Sequence, residues 1–299
     1  MTSPLRVLIA GGTGMIGTPL TSLLRAQGHT VSLLSRSSTS SDSYRWNPGV
    51  EQLDLDALPP IDVIINLAGA SISKMPWTAK RKNAILRSRV EATETIVDAL
   101  RRASHRPTRL LNASAVGFYG DRGDETLNEM SVAGTGFLAE VCVRWEEAAL
   151  QAPPGVGVVL LRTGLVLGQG GALSPLRLLT KLCVSGPLAG GKAWWPWISL
   201  ADEVAAIAHL VNSQLTGPVN LVGPTPATSG TVMRALARLM HRPYWLPTPR
   251  FAISLGLGEA GRELLLSSQR VLPRALTTDG FTFSSLRPQQ ALTAALSEK

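Results

Sequence analysis

The sequence predicts a doubly wound α/β fold: a parallel sheet with helices on both faces, followed by a smaller, mostly helical C-terminal region. Three observations carry this. Short apolar runs alternate with segments of helical spacing through the first half, and a glycine-spaced turn joins the first run to the first helix. After Arg162 that rhythm breaks into chain rich in Gly, Pro and Trp.

Leu5 to Ala10 reads as a buried strand, Gly11 to Gly17 as the turn, and Thr18 to Gln27 as a helix with Leu20, Leu23 and Leu24 on one face. Gly28 stops that helix, Thr30 to Leu34 forms the next strand, and the polar, Ser-rich residues Ser35 to Pro48 form a loop. Ile61 to Leu67 is a third strand, and Arg81 to Ala103 a long helix turning Ile85, Val90, Ile96, Val97 and Leu100 inward. Leu110 to Ser114 and Val156 to Leu161 are strands around a helix near Phe137 to Leu150. Strands alternating with helices require a parallel sheet covered on both sides. Beyond Arg162, helices are expected at Pro175 to Cys183, Asp202 to Asn212 (after Ser199, with acids in the first turn), Thr231 to Met240 and Glu259 to Gln269. Three prolines between Pro243 and Pro249 suggest a link, so the expected domains are residues 1–225, with substrate-region insertions from about 168, and 247–297.

Composition narrows the class. The 299 residues are 44% hydrophobic and 17% charged, with mean hydropathy +0.14, which excludes a disordered polyelectrolyte. Cys142 and Cys183 cannot build a disulfide framework and suit a reducing compartment. No apolar stretch is long enough for a span, and Met1 to Arg6 leaves no room for a signal peptide. A cytoplasmic protein without a membrane partner is expected. His29, His105, His209 and His241 show no metal-ligand spacing and read as surface residues, so no metal site is expected. The net charge of +8 is dispersed except for Lys80-Arg81-Lys82 and the arginines of the same helix. That favours a polyanionic cofactor over nucleic acid.

The turn Gly11-Gly12-Thr13-Gly14-Met15-Ile16-Gly17 is the strongest chemical signal. Its first glycine permits the sharp turn, its second lets backbone approach a pyrophosphate, and its third lets helix and strand pack closely. Amides at the helix start then face the phosphates. At the end of the second strand an acid would suit the ribose hydroxyl of NAD. Residues Val31 to Ser41 contain none, while Ser35 and Arg36 can take a 2′-phosphate. NADP(H) is the expected cofactor.

These segments, with Asn66 to Gly69, Ala113 to Gly120 and Arg162 to Gly168, resemble the extended short-chain dehydrogenase/reductases. Trp77, Ser88-Arg89-Val90, Arg144-Trp145-Glu146, Trp197-Ile198-Ser199 and Ser268 to Pro273 are similar to its epimerase-family, or NAD-dependent epimerase/dehydratase-like, subgroup, which has a small C-terminal domain of unassigned function. The resemblance implies a Rossmann-like fold over essentially the whole length. It also implies a cofactor site in which Gly11, Thr13, Gly14, Met15 and Ile16 hold the pyrophosphate and Ser35 and Arg36 the 2′-phosphate. Leu67 and Ala68 would flank the adenosine, Arg89 would add a charge, and the backbone of Val166 would reach the nicotinamide amide.

The superfamily's reductases and epimerases use Tyr-x-x-x-Lys on one helix face. No such pair exists here: Tyr44, Tyr119 and Tyr244 are followed four residues on by Pro48, Gly123 and Thr248. Matching the pattern places Glu140 at the tyrosine and Arg144 at the lysine. The enzyme reading therefore takes Tyr119 or Glu140 as proton donor, Ser114 to polarise a carbonyl and Arg144 to orient the cofactor. Opposed to it, Tyr119 is a packed aromatic, Glu140 a solvated carboxylate, and the protein a non-catalytic sensor of NADP(H). In the enzyme reading the substrate is a small carbonyl compound or nucleotide sugar. Trp194, Trp195 and Trp197 either line its pocket or fill the core of the smaller domain, and Gly170-Gly171 loops over the nicotinamide end.

Overall fold

The computed structural model describes residues 3–37 and 41–297. Strands β1 (Arg6–Ala10), β2 (Thr30–Ser35), β3 (Ser43–Arg45), β4 (Val63–Asn66) and β5 (Arg109–Ala115) form a seven-stranded sheet with Gly157–Thr163 and Gly217–Leu221. The spatial order is Gly217–Leu221, Gly157–Thr163, β5, β4, β1, β2, β3, and every pairing is parallel. The chain runs outward from β1 to β3, then returns to the other side of β1 as β4. Between β1 and β4 lies the switch point at which such sheets open a crevice for ligands.

Strand alternation divides the core into two layers. Val7 and Ile9 meet Leu20 and Leu24 of α1 (Gly17–Ala26) on one face, while Leu8, Ala10 and Ile64 meet Ile96, Val97 and Leu100 of α2 (Ala79–Arg102) on the other. The α2 helix starts two residues before its expected limit because Thr78 caps it, accepting from Arg81 N at 3.2 Å. Next come α3 (Phe137–Leu150), α4 (Leu173–Lys181) and α5 (Leu200–Asn212), then α6 (Ser229–Leu239), α7 (Arg250–Gly261), α8 (Arg274–Thr278) and α9 (Pro288–Ser297). The α5 helix is capped by Ser199 as expected, its oxygen accepting from Asp202 N at 3.0 Å.

Two local expectations are corrected. The segment read as one loop contains β3, a short edge strand whose polar sequence hides it. The helix expected from Glu259 is already running at Arg250; it kinks at Gly258 (φ +58°), makes a wide turn over Arg262–Leu266, and gives way to the short strand Arg270–Val271.

A third core cluster joins Leu173 and Leu176 of α4, Trp195, Trp197, Val232 and Leu236 of α6, Ile253, Leu266 and Leu292 of α9. The region after residue 168 and the C-terminal piece thus share one interior. Trp195 and Trp197 belong to this core, which settles against a substrate-stacking role for them. Asp202 ties the ends together: its carboxylate accepts from Ser199 Oγ, Ser284 N and Ser284 Oγ, each at 2.7 Å, and from Ser285 N at 3.0 Å. His29 is buried rather than at the surface, its Nδ1 accepting from Leu5 N at 3.1 Å.

Candidate functional site: a dinucleotide crevice

The β1 strand stops at Ala10 and Gly11 turns the chain with φ +81°, where a side chain would strain. A Cβ on Gly11 would lie 2.8 Å from the Leu67 carbonyl oxygen, so the loops after β1 and β4 touch at the switch point. Gly14 N donates to Gly11 O at 3.1 Å and closes the turn; a Cβ on Gly17 would strike that same oxygen. Ile16 precedes α1 without a side-chain cap, which leaves first-turn amides for an anion. Thr13 and Gly14 are exposed, and Met15 and Ile16 half-buried. The Gly170-Gly171 loop lies against Met15: a Cβ on Gly171 would be 3.0 Å from its Sδ.

Sheet register brings the other residues alongside. Ala10 pairs with Leu34 on one side and Asn66 on the other. Ser35 and Arg36 are therefore level with the turn across one edge, and Leu67 and Ala68 across the other. Ser35 Oγ donates to Ser37 O at 2.9 Å, and Arg36 is exposed. The acid nearest in sequence, Asp42, pairs with Arg25 at 3.2 Å.

Arg89 projects from α2 towards the loop after β4. Its Nη1 donates to Ala70 O and Ile85 O, both at 3.0 Å, and its Cζ stands 5.1 Å from the Trp145 ring centroid. Among the described residues no carboxylate pairs with it, and burial, with Arg81 nearby, pulls its pKa down. Backbone carbonyls and the Trp145 ring, rather than an acid, face this half-buried cation. Val166 is buried in a short parallel pair, in register with Ile198.

Sequence reasoning missed the polar floor beneath this crevice. Asn66 Nδ2 donates to Asn112 Oδ1 at 2.7 Å and to Thr93 Oγ1 at 3.0 Å, and Trp145 Nε1 also donates to Thr93 Oγ1 at 3.0 Å. Asn66 Oδ1 accepts from Ala68 N at 3.2 Å, fixing the loop after β4. The available signal was an asparagine at equivalent strand ends, Asn66 opposite Asn112.

The expected catalytic residues do not converge. Ser114 is buried and donates to Glu146 Oε1 at 2.6 Å. Glu146 in turn takes Arg162 Nε and Nη2, each at 2.8 Å. Tyr119 is wholly buried: its hydroxyl donates to Asn220 Oδ1 at 2.7 Å and accepts from Arg162 Nη1 at 3.0 Å. Burial pushes its pKa up. Both hydroxyls are committed to the core, so their roles at a substrate are withdrawn. Glu140 and Arg144 are exposed, whereas the face of α3 towards β5 carries Leu138 and Cys142. A Cβ on Gly117, just after β5, would lie 3.2 Å from Leu138 Cβ and 3.6 Å from Cys142 Sγ. Leu138 and Cys142, also four residues apart, thus face β5 while Glu140 and Arg144 face solvent. The Cys142 thiol, pushed up to about 12 by burial, is inert at neutral pH.

The C-terminal region completes the wall. Glu263 Oε2 accepts from Leu138 N at 3.3 Å, standing in for the cap that Gly136 lacks, and burial raises its pKa. Lys82 Nζ contacts both Glu259 oxygens at 2.9 Å and lies 4.5 Å from the Phe137 ring centroid. Gln269 Nε2 donates to Val116 O at 3.0 Å and Gly120 O at 2.9 Å. Trp194, half-buried, donates through Nε1 to Asp124 at 2.8 Å. Glu203, enclosed beside Thr163 (Oγ1 to Oε1, 2.8 Å), is pushed by burial up to about 8. No cluster of metal-ligating side chains occurs among the described residues.

An open glycine turn at the switch point of a parallel sheet defines a nucleotide-binding protein of the doubly wound class. The chain belongs to the NAD dependent epimerase/dehydratase family, whose model matches residues 7–223; a domain of unknown function, DUF1731, matches 248–295. It is 39% identical over 97% of its length to the Epimerase family protein ML0860 of Mycobacterium leprae, covering 95% of that protein. It is 36% identical over 98% of its length to the chloroplastic Epimerase family protein SDR39U1 homolog of Arabidopsis thaliana, covering 87% of it. The human epimerase family protein SDR39U1, solved with NADPH, superimposes with TM-score 0.90 at 29% identity, over 99% of this chain and 100% of that one.

Proposed function

We propose that the chain binds NADP(H) at the β1–β4 switch point and uses it in hydride exchange with a small carbonyl compound or nucleotide sugar. The observation that carries this is the register: Ala10 paired to Leu34 sets Ser35 and exposed Arg36 beside the glycine turn, in a stretch, Val31 to Ser41, whose sequence has no acid. The NADPH bound by the similar human protein supports the same choice. In this reading Gly11, Thr13, Gly14, Met15 and Ile16 hold the pyrophosphate, Ser35 and Arg36 the 2′-phosphate, and Leu67 and Ala68 the adenosine. Arg89 adds positive charge at the loop after β4, and Val166 offers backbone to the carboxamide. The bound dinucleotide supplies hydride chemistry.

Proton transfer then falls to a group other than tyrosine. Glu263 is the ionisable side chain brought to Leu138, the position a catalytic tyrosine would hold, and burial raises its pKa, the direction a proton donor needs. The C-terminal domain would thus complete the reaction site. The free thiols Cys142 and Cys183 fit a reducing compartment, which we take to be the cytoplasm.

A second reading, binding without turnover, is favoured by Leu138 and Cys142 standing where Tyr and Lys would be needed. Calorimetric titration with NADPH and NADH, followed by a screen of carbonyl compounds and nucleotide sugars for NADPH consumption, tests both. Saturable, NADPH-preferring binding with sustained turnover is expected. Binding without turnover selects the sensor, and no binding to folded protein removes the proposal.

A further inference from the structure

Between Glu147 and Glu259 the chain contains only two acids, Asp202 and Glu203, and both are buried. The same stretch turns cations outward: Lys181, Lys192, Arg234, Arg238, Arg242 and Arg250 are all exposed. It offers solvent no carboxylate to balance them.

Large apolar side chains share that exposure. Leu178 on α4 and Leu182 just past its end are 57% and 61% exposed. Trp245 is 64% exposed, and Phe251 and Leu255, one turn apart on α7, are 73% and 86% exposed. Backbone pairing joins the two groups. Trp245 N donates to Ser185 O at 3.1 Å, Leu246 N to the same oxygen at 3.3 Å, and Trp245 Nε1 to Cys183 O at 3.1 Å. These bonds set Trp245 beside the end of α4, and the chain passes from there directly into α7; Lys181, Arg242 and Arg250 lie along the same path.

We infer that this strip is a docking surface for an anionic lipid bilayer. Leucine and phenylalanine tips enter the boundary between headgroups and acyl chains, and the neighbouring cations meet lipid phosphates. Trp245 has the amphipathic ring that settles at that boundary. Charge decides against a second copy of the chain, because apposing two such faces brings like charges together. Nucleic acid would match the charge and leave the leucines in water. An acidic protein would need pockets for each tip, whereas a fluid acyl layer accepts them anywhere. No helix of the described residues is long and apolar enough to cross a membrane, and peripheral contact needs none. Peripheral docking of this kind goes beyond the expectation of no membrane partner and is what the test decides. The inference is independent of the nucleotide site.

The test is flotation with phosphatidylcholine vesicles, with and without about a third phosphatidylglycerol, at low and raised salt. The protein should float with the anionic vesicles only, and less as salt rises. Phe251→Glu with Leu255→Glu should abolish flotation at low salt. Lys181→Glu with Arg250→Glu should lower partitioning about tenfold or more. Circular dichroism and unfolding midpoints verify that the variants fold, and the charge pair alone suffices as a test if the apolar pair does not. Failure of the parent protein to float with anionic vesicles, or equal flotation of folded variants, overturns the inference. So does a concentration-dependent dimer that the apolar pair dissolves in the absence of lipid binding, or capture by an acidic polypeptide with none by vesicles.

Discussion

Glu146 of α3 and Arg162 of the neighbouring strand meet through two parallel hydrogen bonds of 2.8 Å, both side chains almost wholly buried. Ser114 and Tyr119 attach to either end of that pair. What looked in the sequence like a catalytic serine and tyrosine is therefore the packing of one buried ion pair.

Removing one partner should be expensive. Glu146→Ala leaves a buried guanidinium uncompensated and should destabilise by about 3–5 kcal/mol. Replacing both residues by apolar ones, Glu146→Leu with Arg162→Met, should cost much less. Urea unfolding of the two variants checks the order, and equal losses would contradict the account.

Arg36→Glu should weaken NADPH binding about 10- to 100-fold, the scale of a charged hydrogen-bond partner, with little effect on NADH. Arg36 is exposed, so stability should not change. Titration with both nucleotides decides; parallel weakening would move the 2′-phosphate elsewhere.

Stability should depend on pH through Glu203. Its folded value of about 8 lies above the ordinary 4.5, so the native state keeps a proton that the unfolded chain has released between those values. Its stabilising contribution is complete below pH 4.5 and declines by about 1.4 kcal/mol per unit up to about pH 8. Glu203→Gln should flatten that limb of the unfolding free energy measured across pH.

Glu263→Gln retains an amide oxygen to accept from Leu138 N and should leave the unfolding midpoint nearly unchanged. If Glu263 supplies the proton, turnover should fall about 10²- to 10⁴-fold with NADPH affinity intact. A purely structural Glu263 would show instead an unaltered pH profile.

The strands and helices of the nucleotide half were legible because period-2 and period-3.6 patterns dominate where both faces of a sheet are covered. Gly11 to Gly17 was legible because glycine spacing is local. The edge strand β3 was not, since its three residues, Ser43 to Arg45, carry no apolar alternation. Nor was the face of α3: a helix with apolar residues around most of its circumference does not reveal which side meets β5, and two residues of register turn Leu138 and Cys142 inward and Glu140 and Arg144 to water. Pairings such as Ser114 with Glu146, or Leu138 with Glu263, join residues far apart in the chain and leave no spacing to read.

Asp202 has a consequence for synthesis. Its carboxylate, set at the head of α5, gathers Ser284 and Ser285 from near the chain's end. A ribosome releasing the nucleotide half first therefore delivers it with a buried charge still awaiting ligands. Until Ser284 and Ser285 arrive, the head of α5, a helix packed against α1 and β5, has only Ser199 on that carboxylate. Nascent chains stalled before Ser284 should accordingly be held open and be prime substrates for chaperones.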